Sequence, residues 1–161
     1  MADVDLERMA DKPLFQGLTP AQLARVAEIV RVREVSSGTV LIHERDYGDT
    51  LYVLDAGAVD VRVASPEGDR TIAELRASAP GEVSWAGDFF GEMCLLDLEP
   101  RCATVVATTP ARLWELNRDE LYWLFGDDKE LQKRILLSVG RALSRRLRLL
   151  DAPAETGAGR R

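Results

Sequence analysis

Histidine is almost missing from this chain: His43 is the only one. That excludes a metal centre built on several imidazoles. A lone histidine in the strand-like run Val40-Leu41-Ile42-His43 reads as a surface or partly buried residue. Cysteine is nearly as scarce. Cys94 and Cys102 are too few for a disulfide framework or a four-thiolate cluster. No nucleophile–base arrangement and no paired-carboxylate motif stands out, so no enzyme activity, metal or cofactor is expected. Long apolar runs are missing too. None approaches the roughly 18–20 residues that span a bilayer. The start, Met1-Ala2-Asp3-Val4-Asp5-Leu6-Glu7-Arg8, is acidic and lacks a signal-peptide core, which predicts a cytoplasmic protein.

What is present is an ordinary globular composition, 46% hydrophobic and 30% charged, over 161 residues. That length suits one domain with a helical appendage. The net charge of −6 argues against general nucleic-acid binding. Its distribution is uneven. Residues 1–128 hold 12 basic and 24 acidic residues, whereas residues 129–161 hold 9 basic and 3 acidic. Such a split marks either a partner-binding tail or a solvated helix face.

Residues 4–33 read as helical, interrupted at Pro13. Thr19 before Pro20 is an N-cap signal, and Gln22 completes a capping box. Short strands follow, punctuated by glycine. They are 39–42, 50–54, 58–64 and 71–75, with a hairpin turn at Ser65-Pro66-Glu67-Gly68-Asp69. Strands at this spacing suggest an all-β sandwich or barrel. Residues 77–87, with Trp85 near the end, read as a long loop. Two more strands, 103–107 and 111–116, precede an Asn117 N-cap, a capping-box Glu120 and a short helix over 118–125. The clearest helix is 127–150. Leu131, Ile135, Val139, Leu143 and Leu147 form its stripe, with Arg134, Arg141, Arg145, Arg146 and Arg148 on other faces. The stripe suits packing on the body in cis, a lid, a homodimer seam or a docking face. Residues 151–161 read as a flexible tail.

The most informative stretch is 89–105. Gly91 allows close backbone approach to a ligand. Met93-Cys94-Leu95-Leu96 reads as one or two helical turns whose amides favour an anion. Arg101 offers a planar fork for phosphate oxygens. Glu92 would repel a phosphate and suits a sugar hydroxyl instead. Together Glu92 and Arg101 describe a sugar phosphate. This stretch closely resembles the phosphate-binding cassette of cyclic nucleotide-binding domains. Further resemblance lies in Pro13-Leu14-Phe15-Gln16-Gly17-Leu18, in Gly48-Asp49-Thr50-Leu51-Tyr52-Val53-Leu54 with Gly57, and in Gly87-Asp88-Phe89-Phe90-Gly91-Glu92. It covers roughly residues 11–150.

The resemblance implies a mainly β fold with flanking α-helices. Its body would be a double-stranded β-helix, a jelly-roll-like β-roll, with N-terminal helices and a long C-terminal helix. Residues 1–126 would form the roll and 127–150 the lid or dimerisation helix. The implied ligand is cAMP or cGMP. Glu92 would accept from the ribose 2′-hydroxyl and Arg101 would bind the cyclic phosphate. Gly91, Met93 and Cys94 would line the pocket, with Cys102 and Ala103 beside phosphate and base. Cys102 stands where a hydroxyl often accompanies cGMP preference, which leans the expectation slightly to cAMP. Both cysteines lie in the cassette. They read as small residues in tight space, or as a redox-sensitive pair. The helix-turn-helix domain of related transcription factors is not expected, nor is direct DNA binding. The expected role is a sensor that signals to a protein partner through its C-terminal helix. The alternative is an adaptor that has lost nucleotide binding.

Overall fold

A computed structural model describes residues 4–82 and 87–151. Trp85 and the expected tail after Asp151 lie outside the described residues. Eight strands form two four-stranded antiparallel sheets among the described residues. The strands are β1 (Arg31–Val35), β2 (Val40–Ile42), β3 (Thr50–Ala56), β4 (Ala58–Val63), β5 (Arg70–Arg76), β6 (Phe89–Phe90), β7 (Thr104–Ala107) and β8 (Ala111–Asn117). Helices α1 (Leu6–Ala10) and α2 (Pro20–Ile29) precede them, and α3 (Arg118–Asp127) and α4 (Lys129–Asp151) follow. The architecture is the expected one, mainly β with helices on the flanks. None of the helices among the described residues is long and apolar enough to cross a membrane.

One sheet runs β1-β8-β3-β6 and the other β2-β7-β4-β5. Leu41, Ile42, Leu54, Val59, Phe90, Val105 and Leu113 pack together as one buried cluster joining the two sheets. A second cluster joins the helices to the first sheet. It gathers Met9, Phe15, Val26, Trp114, Phe125, Leu131, Ile135 and Val139. The α4 stripe therefore packs on its own chain from Leu131 to Leu143. Its last turns do not, because Leu147 is 60% exposed and Leu150 65%.

Local signals explain most boundaries. Thr19 and Gln22 exchange both capping-box bonds, at 3.2 and 3.0 Å. Ser65 and Gly68 bond reciprocally across the β4–β5 turn. Asn117 accepts from the amides of Asp119 and Glu120 at the start of α3. Two expectations are corrected and one short strand is added. Residues 31–33 are not helical; they begin β1, with Arg31 opposite Glu115 and Val32 opposite Trp114 on β8. Phe89–Phe90 is a short strand beside Tyr52 and Val53. The Glu120 carboxylate reaches Arg31 through two bonds of 2.9 and 2.8 Å instead of closing a capping box.

Asp128 caps α4. Its Oδ1 accepts the Leu131 amide at 2.9 Å and its Oδ2 accepts from Gln22 of α2 at 2.9 Å. The Leu131 bond first, then the Gln22 bond, holds this carboxyl below its ordinary value. A depressed carboxylate contributes stability that is present above its unfolded pKa, about 3.9, and lost as pH falls through the folded value. Asp128→Ala is therefore expected to lower the thermal midpoint clearly at pH 7 and by much less at pH 3. Equal losses at the two pH values would show that the charge contributes nothing.

Candidate functional site

β6 delivers the chain into the cassette. Gly91 follows it in the left-handed region, at φ +75°. A Cβ here would sit 3.0 Å from both the Thr50 carbonyl oxygen and Arg101 Nη1, so the turn requires glycine for conformation and for space. The expected one or two α-helical turns prove to be a single 3-10 turn, Glu92–Leu95. Its Cys94 amide points back to the Gly91 carbonyl at 3.5 Å.

Arg101 is held by the same turn. Nη1 donates to the Gly91 carbonyl at 2.9 Å, and Nη2 donates to the Thr50 carbonyl on β3 at 2.7 Å. The backbone on either side is clasped as well. The Arg45 amide donates to the Arg101 carbonyl and the Arg101 amide to the Asp46 carbonyl, at 2.8 and 2.7 Å. Gly48 makes room for the side chain, since a Cβ there would meet Arg101 Nη2 at 2.6 Å. The sequence marked Gly48 only as a turn residue.

Glu92 is 4% exposed, unusual for a carboxylate without a charged partner. Its partner is Arg146 of α4, whose Nη1 donates to Oε1 at 2.9 Å. Arg146 Nη2 also donates to the Phe89 carbonyl, and its guanidinium lies 5.3 Å from the Phe89 ring centroid. Sequence reasoning left Arg146 among the arginines of the other faces. The missed signal was its spacing, seven residues after Val139 and four after Ala142, which puts it on the buried side of α4.

The structure thus gathers Gly91, Glu92, Cys94 and Arg101 around one turn. Arg101 grips the carbonyl of the peptide that leads into Glu92. Ala103 is buried nearby at the start of β7. Met93 and Cys102 face outward, with Cys102 Sγ 3.7 Å from Met93 Sδ. Burial first of all pushes the Cys94 thiol above its ordinary value, against the pull of Arg101. A raised thiol pKa leaves little thiolate at Cys94 at neutral pH. A groove of about 650 Å³ runs along β2, β4 and β7, with Val40, His43, Arg62 and Thr104 in its lining. There Arg62 is already paired with Asp60 at 3.0 Å, and Gly38 and Asp69 also belong to the lining.

The chain as a whole is similar to several known proteins. The cAMP-dependent protein kinase regulatory subunit of Aspergillus niger is 31% identical over 126 residues, covering 78% of this chain and 28% of that subunit. The CRP-like cAMP-activated global transcriptional regulator of Mycobacterium tuberculosis is 27% identical over 142 residues, 88% of this chain and 58% of the regulator. This chain accordingly spans less than two thirds of either relative. A solved cyclic nucleotide-binding domain from Methylobacillus flagellatus superposes with a TM-score of 0.77 at 27% identity, covering 96% of this chain and 83% of that one. The family model of the cyclic nucleotide-binding domain matches residues 32–128, from β1 through the cassette to the cap of α4, and the chain belongs to that family.

Proposed function

We propose that the protein is a non-catalytic sensor of a cyclic mononucleotide that reports occupancy through α4. The observation that carries this reading is the Glu92–Arg146 pair, because it ties the carboxylate suited to a ribose directly to the long helix. The cyclic phosphodiester, a monoanion, would sit on Arg101 and the neighbouring cassette amides. The ribose 2′-hydroxyl would donate to Glu92 Oε1, the atom that Arg146 now occupies. Hydroxyl and guanidinium compete for one oxygen. Ligand binding therefore favours helix positions in which Arg146 has let go, and a protein partner reads the difference. Residues 1–126 form the binding unit in this reading and 127–150 the reporting helix. The relatives named for cAMP, and Cys102 in place of a hydroxyl residue, favour cAMP over cGMP. Under this reading the protein works in the cytoplasm.

The test is calorimetric titration with cAMP and cGMP. Binding at micromolar or tighter dissociation constants is expected, stronger for cAMP, with 5′-AMP much weaker because its phosphate is neither cyclic nor singly charged. A second reading rests on the same contacts. Arg101 and Glu92 already have protein partners, as they would in an adaptor that no longer takes a nucleotide. No heat with either cyclic nucleotide would favour the adaptor.

Arg146→Ala separates the two further. Removing the competing guanidinium raises the fraction of binding-competent protein, and nucleotide affinity is expected to rise about 5–10-fold. The thermal midpoint of the ligand-free protein should fall at the same time, since Glu92 is left buried without its cation. An affinity unchanged by this substitution would sever α4 from the site.

A further inference from the structure

The side of α4 that faces away from the body carries a second pattern. Leu137, Gly140, Ser144 and Leu147 recur at intervals of three, four and three, the spacing of a helix-packing seam. All four are exposed. A Cβ on Gly140 would meet nothing within 4 Å, so the middle of the seam is open to close approach. A shallow groove of about 380 Å³ runs along it, bordered by Arg141, Arg145 and Arg148. Arg134, Arg141 and Arg148 are spaced seven apart and form one edge of the seam. Arg134 pairs with Glu130 on its own helix. Arg141 and Arg148 have no ion-pair partner among the described residues.

We infer that this face of α4 docks an acidic amphipathic helix of a partner protein. Charge decides the occupant. Residues 131–150 contain six Lys and Arg residues and no Asp or Glu, on a chain whose net charge is −6. Self-pairing over residues 131–150 offers no carboxylate in either orientation, and Glu130 at the start of α4 is already paired with Arg134. An antiparallel copy sets arginine edge against arginine edge. A parallel copy sets Arg141 and Arg148 against the opposite edge, Leu136 and Leu143. A lipid surface is a poor match as well, because the centre of the seam is Gly140 and Ser144 and has little apolar depth to insert. A helix with apolar knobs and a row of glutamates fills the shallow centre and pairs the free arginines. The inference rests on the proposed reading in one respect: it names the chemistry of the partner that α4 would address.

The experiment uses the full chain and a synthetic three-heptad peptide with leucine and alanine on its seam and glutamate along both edges. Binding is followed by fluorescence anisotropy at low and physiological salt. Micromolar binding is expected. The double variant Arg141→Glu/Arg148→Glu should weaken it by at least about tenfold, and a peptide with lysine for glutamate should bind that variant instead. Gly140→Leu should block the acidic peptide on the unreversed protein. The proposal is overturned if the acidic peptide does not bind, or binds the charge-reversed variant equally. It is also overturned if phosphatidylglycerol vesicles or duplex DNA bind more tightly than the peptide, or if sedimentation shows an α4 dimer that the peptide cannot displace. Cyclic nucleotide titration of the same variants is read separately. Peptide selectivity without nucleotide binding would retain the docking face and remove the sensor reading.

Discussion

Arg101→Ala is expected to weaken cAMP binding by about 100–1000-fold. A guanidinium facing a phosphodiester forms two parallel charge-assisted bonds, each worth about 1.5–3 kcal/mol, and about 1.4 kcal/mol corresponds to a tenfold change. The same side chain also supplies donors to the Gly91 and Thr50 carbonyls, so its loss relaxes the cassette turn. Arg101→Lys distinguishes the two contributions. Lysine keeps the positive charge but lacks the planar fork that spans two carbonyls. It should recover part of the affinity and little of the turn. Calorimetry measures the affinity, and circular dichroism confirms that the roll stays folded. Undiminished binding by Arg101→Ala would put the phosphate somewhere else and leave Arg101 as a structural clasp.

Lys12→Met is expected to cost about 3–5 kcal/mol of stability. Lys12 is 1% exposed and Asp88 is fully buried. Lys12 Nζ donates to Asp88 Oδ2 at 2.8 Å and to the Leu54 carbonyl at 2.6 Å, and it lies 5.9 Å from the Trp114 ring centroid. Asp88 Oδ2 also accepts from the Ser78 hydroxyl at 2.6 Å, while Oδ1 has no partner among the described residues. Methionine fills the volume of the lysine stem and removes the cation, leaving a buried carboxylate with one hydroxyl and one amide for company. The companion variant is Lys12→Met/Asp88→Asn, which removes both charges and keeps an acceptor for Ser78. Urea unfolding should show the double variant recovering part of the loss, a coupling that independent sites would not display. Additive losses would mean that the pair contributes no more than packing. Asp88 stands immediately before β6, so the single variant should also loosen the approach to Gly91.

The parts of this molecule that announce themselves in sequence are those with local rules. The Thr19–Gln22 box, the Ser65–Gly68 turn, the alternation of β4 and the four-residue recurrence in α4 each follow from chemistry within a few positions. The cassette was legible for the same reason, since Gly91, Glu92 and Arg101 fall within eleven residues. What stayed hidden depends on distant partners. Arg31-Val32-Arg33-Glu34-Val35 follows α2 with no glycine or proline between them. It becomes a strand because β8, eighty residues later, offers it an edge. β6 is two residues long and is defined only by its pairing with β3. Arg146 and Glu92 are separated by 54 positions, and Lys12 and Asp88 by 76. Periodicity can tell which face a residue occupies. It does not tell what that face will touch.

The order β1-β8-β3-β6 has a consequence for how the chain reaches this state. β8 sits between β1 and β3, so the first sheet has no centre until residue 117 is available. The second sheet likewise needs β7 to join β2 to β4. A chain emerging from the ribosome would hold β1, β2 and the β4–β5 hairpin as unpaired edges for most of its synthesis. Both sheets would then close together when the last two strands arrive. Pairings this far apart in sequence make for slow folding and a single late, cooperative step. They also leave the apolar face of β3 open to other chains while it waits.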